Sequence, residues 1–164
     1  MKEITITLKR EEIMSDVVST AYVVGRRLNV AGNEEKASDI QTPEEGADKY
    51  IVARSLTEGL SALRKECGRY LTSGRISHDN TLENVEGNYT LTLSMPDRWN
   101  FGLTSRLTSL SNAYVRDWCI YSIFEKTNPE EAATYLNKAN FSLSEIKPIL
   151  ELRTAPVRKS SNLY

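Results

Sequence analysis

Between Leu103 and Glu125 apolar side chains recur every three or four positions. Leu103, Leu107, Leu110, Tyr114, Trp118 and Tyr121 thereby fall on one face of an α-helix. From Ala113 onward Val115, Cys119, Ile120, Ile123 and Phe124 widen that stripe until only Arg116, Asp117 and Ser122 interrupt it. A helix apolar nearly all round needs cover on several sides, from its own domain or from a neighbouring chain. Two other stretches alternate with a period of two. Ile4, Ile6 and Leu8 alternate with Glu3, Thr5 and Thr7, and Tyr89, Leu91, Leu93 and Met95 alternate with Thr90, Thr92 and Ser94 before Pro96. Both read as half-buried strands. Glu86-Gly87-Asn88 suggests a hairpin turn with Leu82 to Val85 as the earlier strand, and the N-terminal strand is the other candidate partner.

The remaining periodic stretches are helical. Ile13, Val17, Ala21, Val24 and Leu28 predict a helix from about Arg10 to Leu28, with Arg26 and Arg27 at its negative end. Capping that end is the simpler role for the two arginines; binding phosphate is the alternative. Thr42-Pro43-Glu44-Glu45 opens a second helix with a capping box. Its stripe of Val52, Leu56, Leu60, Leu63, Cys67 and Leu71, flanked by Tyr50, Ala53 and Tyr70, carries it to about Ser73. Gly46, Gly59 and Gly68 lie within it; close helix packing or a kink is the simpler explanation and a hinge the sharper one, and packing is favoured. After the central apolar helix, Asn128 and Pro129 start a helix with a small-residue face of Ala132, Ala133, Leu136 and Ala139 that ends near Phe141. Ser142 to Glu145 then opens a last helix, kinked or shortened by Pro148. In the linker before the central helix, Trp99 and Phe101 read as a clamp over the core, with an exposed contact as the alternative.

These elements imply a mainly α fold, a bundle of four to five helices with a small two- to three-stranded β-sheet or hairpin. One domain over residues 1–153 is expected, with an exposed acidic loop at 29–41 and an extended basic tail at 154–164. At 164 residues the chain is long enough to bury a core without staples. Hydrophobic residues at 40% and charged residues at 26% are ordinary for a globular protein. A net charge of −1 exerts no global pull on nucleic acid or anionic membrane, so such binding needs a local patch. No apolar run approaches the length of a membrane span, and the N-terminus lacks a signal core, which implies a cytosolic site of synthesis.

Little in the chain points to catalysis. Cys67 and Cys119 sit within apolar stripes and read as buried thiols, neither a disulfide nor a metal pair. His78 stands beside Asp79, but no nucleophile with recognisable flanking geometry accompanies them. Phosphate-loop, dinucleotide-binding, zinc-protease, paired-cysteine and nucleophile-elbow motifs are absent. The carboxylate pairs Glu11-Glu12, Glu44-Glu45 and Glu130-Glu131 fall at helix starts, where the helix dipole explains them. No catalytic residue, cofactor or metal is expected. The candidate contacts to a partner or to DNA are Arg26, Arg27, Arg153, Arg158 and Lys159.

From Tyr89 to Lys159 the layout has a further quality. A strand ending in LSMP leads into a long helix ending YVRDWCIYSIFEKTN; PEEAATYLNKANFSLSEIKPILELR and a tail, TAPVRK, follow. This order resembles the small, mainly helical head–tail connector (neck or adaptor) proteins of tailed phages and prophages. The resemblance implies a non-enzymatic homo-oligomeric ring between portal and tail, in a virion assembled in the host cytoplasm. Helices would pack side by side around a DNA channel, and termini or loops would dock into neighbouring portal and tail proteins. No membrane contact is implied. The alternative is a cytosolic helical binding or regulatory module with a pocket near Trp99, Tyr114 and Trp118. A nucleic-acid binder using Arg26, Arg27 and the tail is a third reading, and the near-neutral charge weighs against it.

Overall fold

The computed structural model describes residues 1–30, 32, 48–72 and 87–155, apart from the side chains of 28–30 and 48–49. Strand β1 (Lys2–Leu8) enters helix α1 (Arg10–Val30), and α2 (Asp48–Cys67) leads toward β2 (Tyr89–Met95). A single 3₁₀ turn (Phe101–Leu103) then opens α3 (Thr104–Phe124), and α4 (Pro129–Glu151) completes the order. The fold is mainly α, with four α-helices and a two-stranded antiparallel sheet among the described residues. Of the two candidate pairings, the one with the N-terminal strand is observed. Lys2 stands opposite Met95 and the register runs unbroken to Leu8 opposite Tyr89. Leu82 to Val85 lies outside the described residues. Gly87 has a φ of +113°, the left-handed backbone that a turn into β2 requires and that glycine adopts without strain.

Helix α2 stops at Cys67, short of the expected Ser73. The reason is a competing set of backbone bonds. The Ser94 N–H donates to the Tyr70 carbonyl at 2.7 Å and the Thr72 N–H donates to the Thr92 carbonyl at 3.0 Å. Leu71 is thus drawn out of the helical stripe to lie opposite Leu93, on the side of β2 away from β1. The start expected at Thr42 and Pro43 lies outside the described residues.

The last two expected helices are one. Helix α4 is 23 residues long, about 35 Å, and passes through both the Ser142 capping signal and Pro148. Its buried positions Ala132, Ala139, Ser142, Ile146 and Ile149 keep one helical period throughout, so tertiary burial overrides the local stop signal. Asn128 precedes the helix and Pro129 takes its first turn as expected, but the Asn128 side chain makes no capping hydrogen bond.

Helix α3 lies at the centre. It packs against α4 most extensively, then against α2, α1 and β1, so its own domain covers its several apolar sides. Leu107, Ser111, Tyr114, Val115, Cys119, Ile120 and Phe124 are buried, while Trp118 and Tyr121 are half-buried. Val17 and Ala21 from α1, Leu60 and Leu63 from α2, and Ile6, Leu91 and Leu93 from the sheet close the same core. Gly59 is where α2 meets α3 closely: a Cβ there would stand 3.3 Å from Trp118 Cδ1. Packing, the expected role, is what this glycine does.

Candidate functional site

Three places gather polar side chains with definite geometry. The first is a seam between α1, α3 and α4. Asp117 is 3% exposed on an otherwise apolar stretch of α3, and Arg116 donates to its Oδ1 from Nε at 2.9 Å, with Nη2 also 2.9 Å away. The same guanidinium reaches Asp16 Oδ2 on α1 at 3.8 Å. Burial works against the charge on Arg116, but the hydrogen bond and charge of Asp117, with Asp16 behind them, hold its pKa above the ordinary value. Nearby, Arg27 on α1 pairs with Glu131 on α4 at 3.5 Å. Tyr135 stacks edgewise on Phe124 and lies under the Lys138 ammonium, 4.5 Å from its ring centre. Burial first, then the charges of Glu131 and Asp117, raise the Tyr135 phenol pKa, and Arg27 and Arg116 offset this in part. Charges of both signs are matched here across three helices. Asp117 is paired within α3, by the adjacent Arg116, and the bonds between helices are the exposed contacts of Arg116 with Asp16 and of Arg27 with Glu131, each a weak tie.

The second place is a clasp at the end of the sheet. Trp99 is 1% exposed and donates from its indole Nε1 to the Ile149 carbonyl at 2.8 Å. Arg153 donates to the Leu150 carbonyl at 2.8 Å and to the Tyr70 hydroxyl at 3.0 Å. Carbonyls of a helix's last turn have no partner within the helix, and these two side chains supply partners for α4. Beyond them Thr154 donates to the Arg98 carbonyl from both its N–H and its hydroxyl, at 2.7 and 3.0 Å. Arg98 returns a bond to the Thr154 carbonyl at 2.9 Å. The clamp expected of Trp99 is thus present, and it grips the chain just after α4.

The third is a cleft of about 280 Å³ between the start of α2 and the end of α3. Tyr50 and Ile51 give it apolar surface, Arg54 and Lys126 its cations, and Glu58 and Glu125 its anions. Tyr50, placed by sequence as a flank of the buried stripe, is 78% exposed. The pocket expected near Trp99, Tyr114 and Trp118 is differently disposed. Trp99 is closed into the clasp, whereas Trp118 lies between Tyr114 and Tyr121.

The basic residues singled out in the sequence are not collected in one patch. Arg27 pairs near the start of α4 and Arg153 follows its end, which separates them by about 30 Å along the helix. Arg26 is exposed on α1, while Arg158 and Lys159, like His78 and Asp79, lie outside the described residues. Both cysteines are buried free thiols, and burial pushes each up to about 12, leaving them un-ionised and inert at neutral pH. Among the described residues no group of three or more potential ligands could hold a metal ion. No described helix is long and apolar enough to cross a membrane. Sequence reasoning overlooked Asp117 and Arg98. The only signal for the first was the Arg116-Asp117 interruption in an apolar helix, and for the second there was none. No protein-family model, curated protein or solved structure matches the chain.

Proposed function

We propose that this chain is a non-enzymatic structural protein of a tailed-phage or prophage virion neck, assembling as a homo-oligomeric ring between portal and tail. The observation that carries the reading is the clasp. Arg153 and Thr154 are bonded to Tyr70, Leu150 and Arg98, so the backbone just after α4 is held at a defined point and is not a frayed helix end. In this reading Arg158 and Lys159 supply the contacts to a neighbouring subunit or to DNA. Deleting the gene tests the proposal. The expected phenotype is filled heads and separate tails that do not join, with the protein present in wild-type virions by mass spectrometry. Infectious particles in normal number from the deletion would overturn it.

The cleft favours a second reading, a helical binding module. Its exposed Tyr50 and Ile51, set among charges of both signs, suit a small zwitterionic or peptide ligand. A ligand that raises the melting temperature, and loses that effect in Tyr50→Ala, would select this function over the first.

A further inference from the structure

The hydrogen bonds around β2 determine which edge of the sheet has no partner strand among the described residues. Thr92 and Ser94 direct their backbone groups toward Tyr70 and Thr72. Backbone groups alternate sides along a strand, so Leu91, Leu93 and Met95 direct theirs toward β1. Their partners there are Ile6, Ile4 and Lys2. The intervening residues Glu3, Thr5 and Thr7 therefore present their N–H and C=O groups to the opposite edge, and among the described residues no strand lies beyond it. The edge is regular through all seven register pairs, without a bulge, and carries no proline. Natural proteins use bulges and prolines to keep an edge from pairing, and β1 has neither; the charged side chains on its outer face, Glu3 and, just past its end, Lys9, are of opposite sign.

We propose that β1 pairs antiparallel with β1 of a second copy about a two-fold axis at Ile6. Only outward-facing residues can exchange hydrogen bonds across the new seam, which makes Thr5 bond opposite Thr7 of the other copy. In the same register Glu3 faces Lys9 of the other copy, so the two-fold axis generates two opposite-charge pairs. Ile6 meets its own equivalent and Ile4 meets Leu8 on the core face of the continued sheet, while the threonines share the outer face. Lys9 now pairs with Glu12 at 2.6 Å with both side chains more than half exposed, so turning toward Glu3 costs it little. The occupant is a second copy because β1 is complementary to itself in both apolar pattern and charge. The contact does not rest on the neck reading. A two-fold contact closes on itself, whereas ring subunits meet head to tail.

Sedimentation velocity of the full chain over a concentration series tests the pairing, with hydrogen exchange followed at Thr5 and Thr7; the Lys9 carbonyl opposite Glu3 already accepts from the Ile13 N–H, so the third pair is one of side-chain charge only. A reversible dimer is expected, with the Thr5 and Thr7 amides gaining protection as it forms. Thr5→Pro removes one outward N–H and no β1–β2 bond, and should yield a folded monomer. Glu3→Lys and Lys9→Glu should each weaken the dimer about tenfold, and the double exchange should restore it. If Thr5→Pro does not fold, the charge exchange decides alone. A protein monomeric at every concentration overturns the proposal, as does a dimer indifferent to these changes or one that the double exchange fails to restore. Protection of the edge that appears only when another protein is added overturns it as well.

Discussion

The two tryptophans stand in contrasting surroundings. Trp99 is 1% exposed, meets Phe101 edge-on with ring centres 5.3 Å apart, and spends its indole N–H on a helix-end carbonyl. Trp118 is half-buried, lies 5.4 Å from Tyr121 and 6.4 Å from Tyr114, and its buried indole Nε1 has no hydrogen-bond partner among the described residues. Around Trp99, segments distant in sequence are joined: the turn after β2, the end of α4, and, through Arg153, the Tyr70–Thr72 segment. Trp118 has α3's own tyrosines as ring neighbours and lies close to Gly59 of α2. Trp99 therefore acts as a bolt, where shape and hydrogen bonding are both satisfied. Trp118 is a filler, held by contact area, with an unsatisfied polar atom that offsets part of its burial.

The contrast is tested most sharply by removing each ring. Trp99→Ala should cost about 4 kcal/mol in urea unfolding, from cavity, transfer and the lost indole hydrogen bond together, although the Ile149 carbonyl keeps the Leu152 N–H. Trp118→Ala should cost about half as much, near 2 kcal/mol, because its site is partly open and loses no hydrogen bond. Equal costs would break the distinction.

Next in size is the seam. Asp117→Ala removes the buried carboxylate and leaves Arg116 half-buried opposite Asp16 alone; a loss of about 2–3 kcal/mol is expected, less than for a fully buried pair because Arg116 retains access to water. Asp16→Ala, exposed, should change stability by under about 0.5 kcal/mol. The pair of measurements separates the buried half of the seam from its rim.

A smaller effect follows from the thiols. In the folded chain both cysteines are raised to about 12 by burial, whereas unfolded they titrate near pH 9. Above pH 9 the unfolded state releases protons that the folded state keeps, so their contribution is full below that pH and declines as pH rises toward 12. At pH 10 each thiol should lower stability by about 1 kcal/mol relative to pH 8. Denaturation midpoints of the wild type and of Cys67→Ala/Cys119→Ala at the two pH values measure this. An undiminished slope in the double variant would assign it to other groups.

The smallest change is Gly59→Ala. Helix propensity gains about 1 kcal/mol, and the new methyl group crowds Trp118 by a similar amount, so the net should be near zero. In a Trp118→Ala background the crowding vanishes and the same substitution should stabilise by about 1 kcal/mol, which a double-mutant cycle reads directly.

How much of this was legible varies by element. The span of α3 was readable to within a residue or two at each end because its apolar positions, the Pro96 entry and the Asn128-Pro129 exit all agree. The strands were readable from their alternation, but their pairing was not. Alternation says which face is buried and nothing about which strand lies alongside. The seam was hidden because Arg116 and Asp117 are adjacent in sequence and resemble a solvated surface pair. Only the packing of α1 and α4 over that side of α3 reveals that Asp117 is enclosed.

By itself the sequence determined the mainly helical class, the two strands and the burial of both cysteines. Each follows from local periodicity or residue type. The tertiary structure alone decided where α2 ends, that α4 runs unbroken through Pro148, and that Arg27 and Arg153 lie at opposite ends of that helix. These outcomes depend on competition between a local signal and a distant partner. At Leu71 the backbone of β2 outbids continuation of the helix, and at Ser142 a continuous buried face prevails over a capping motif. A one-dimensional pattern records the local signal but not the distant competitor.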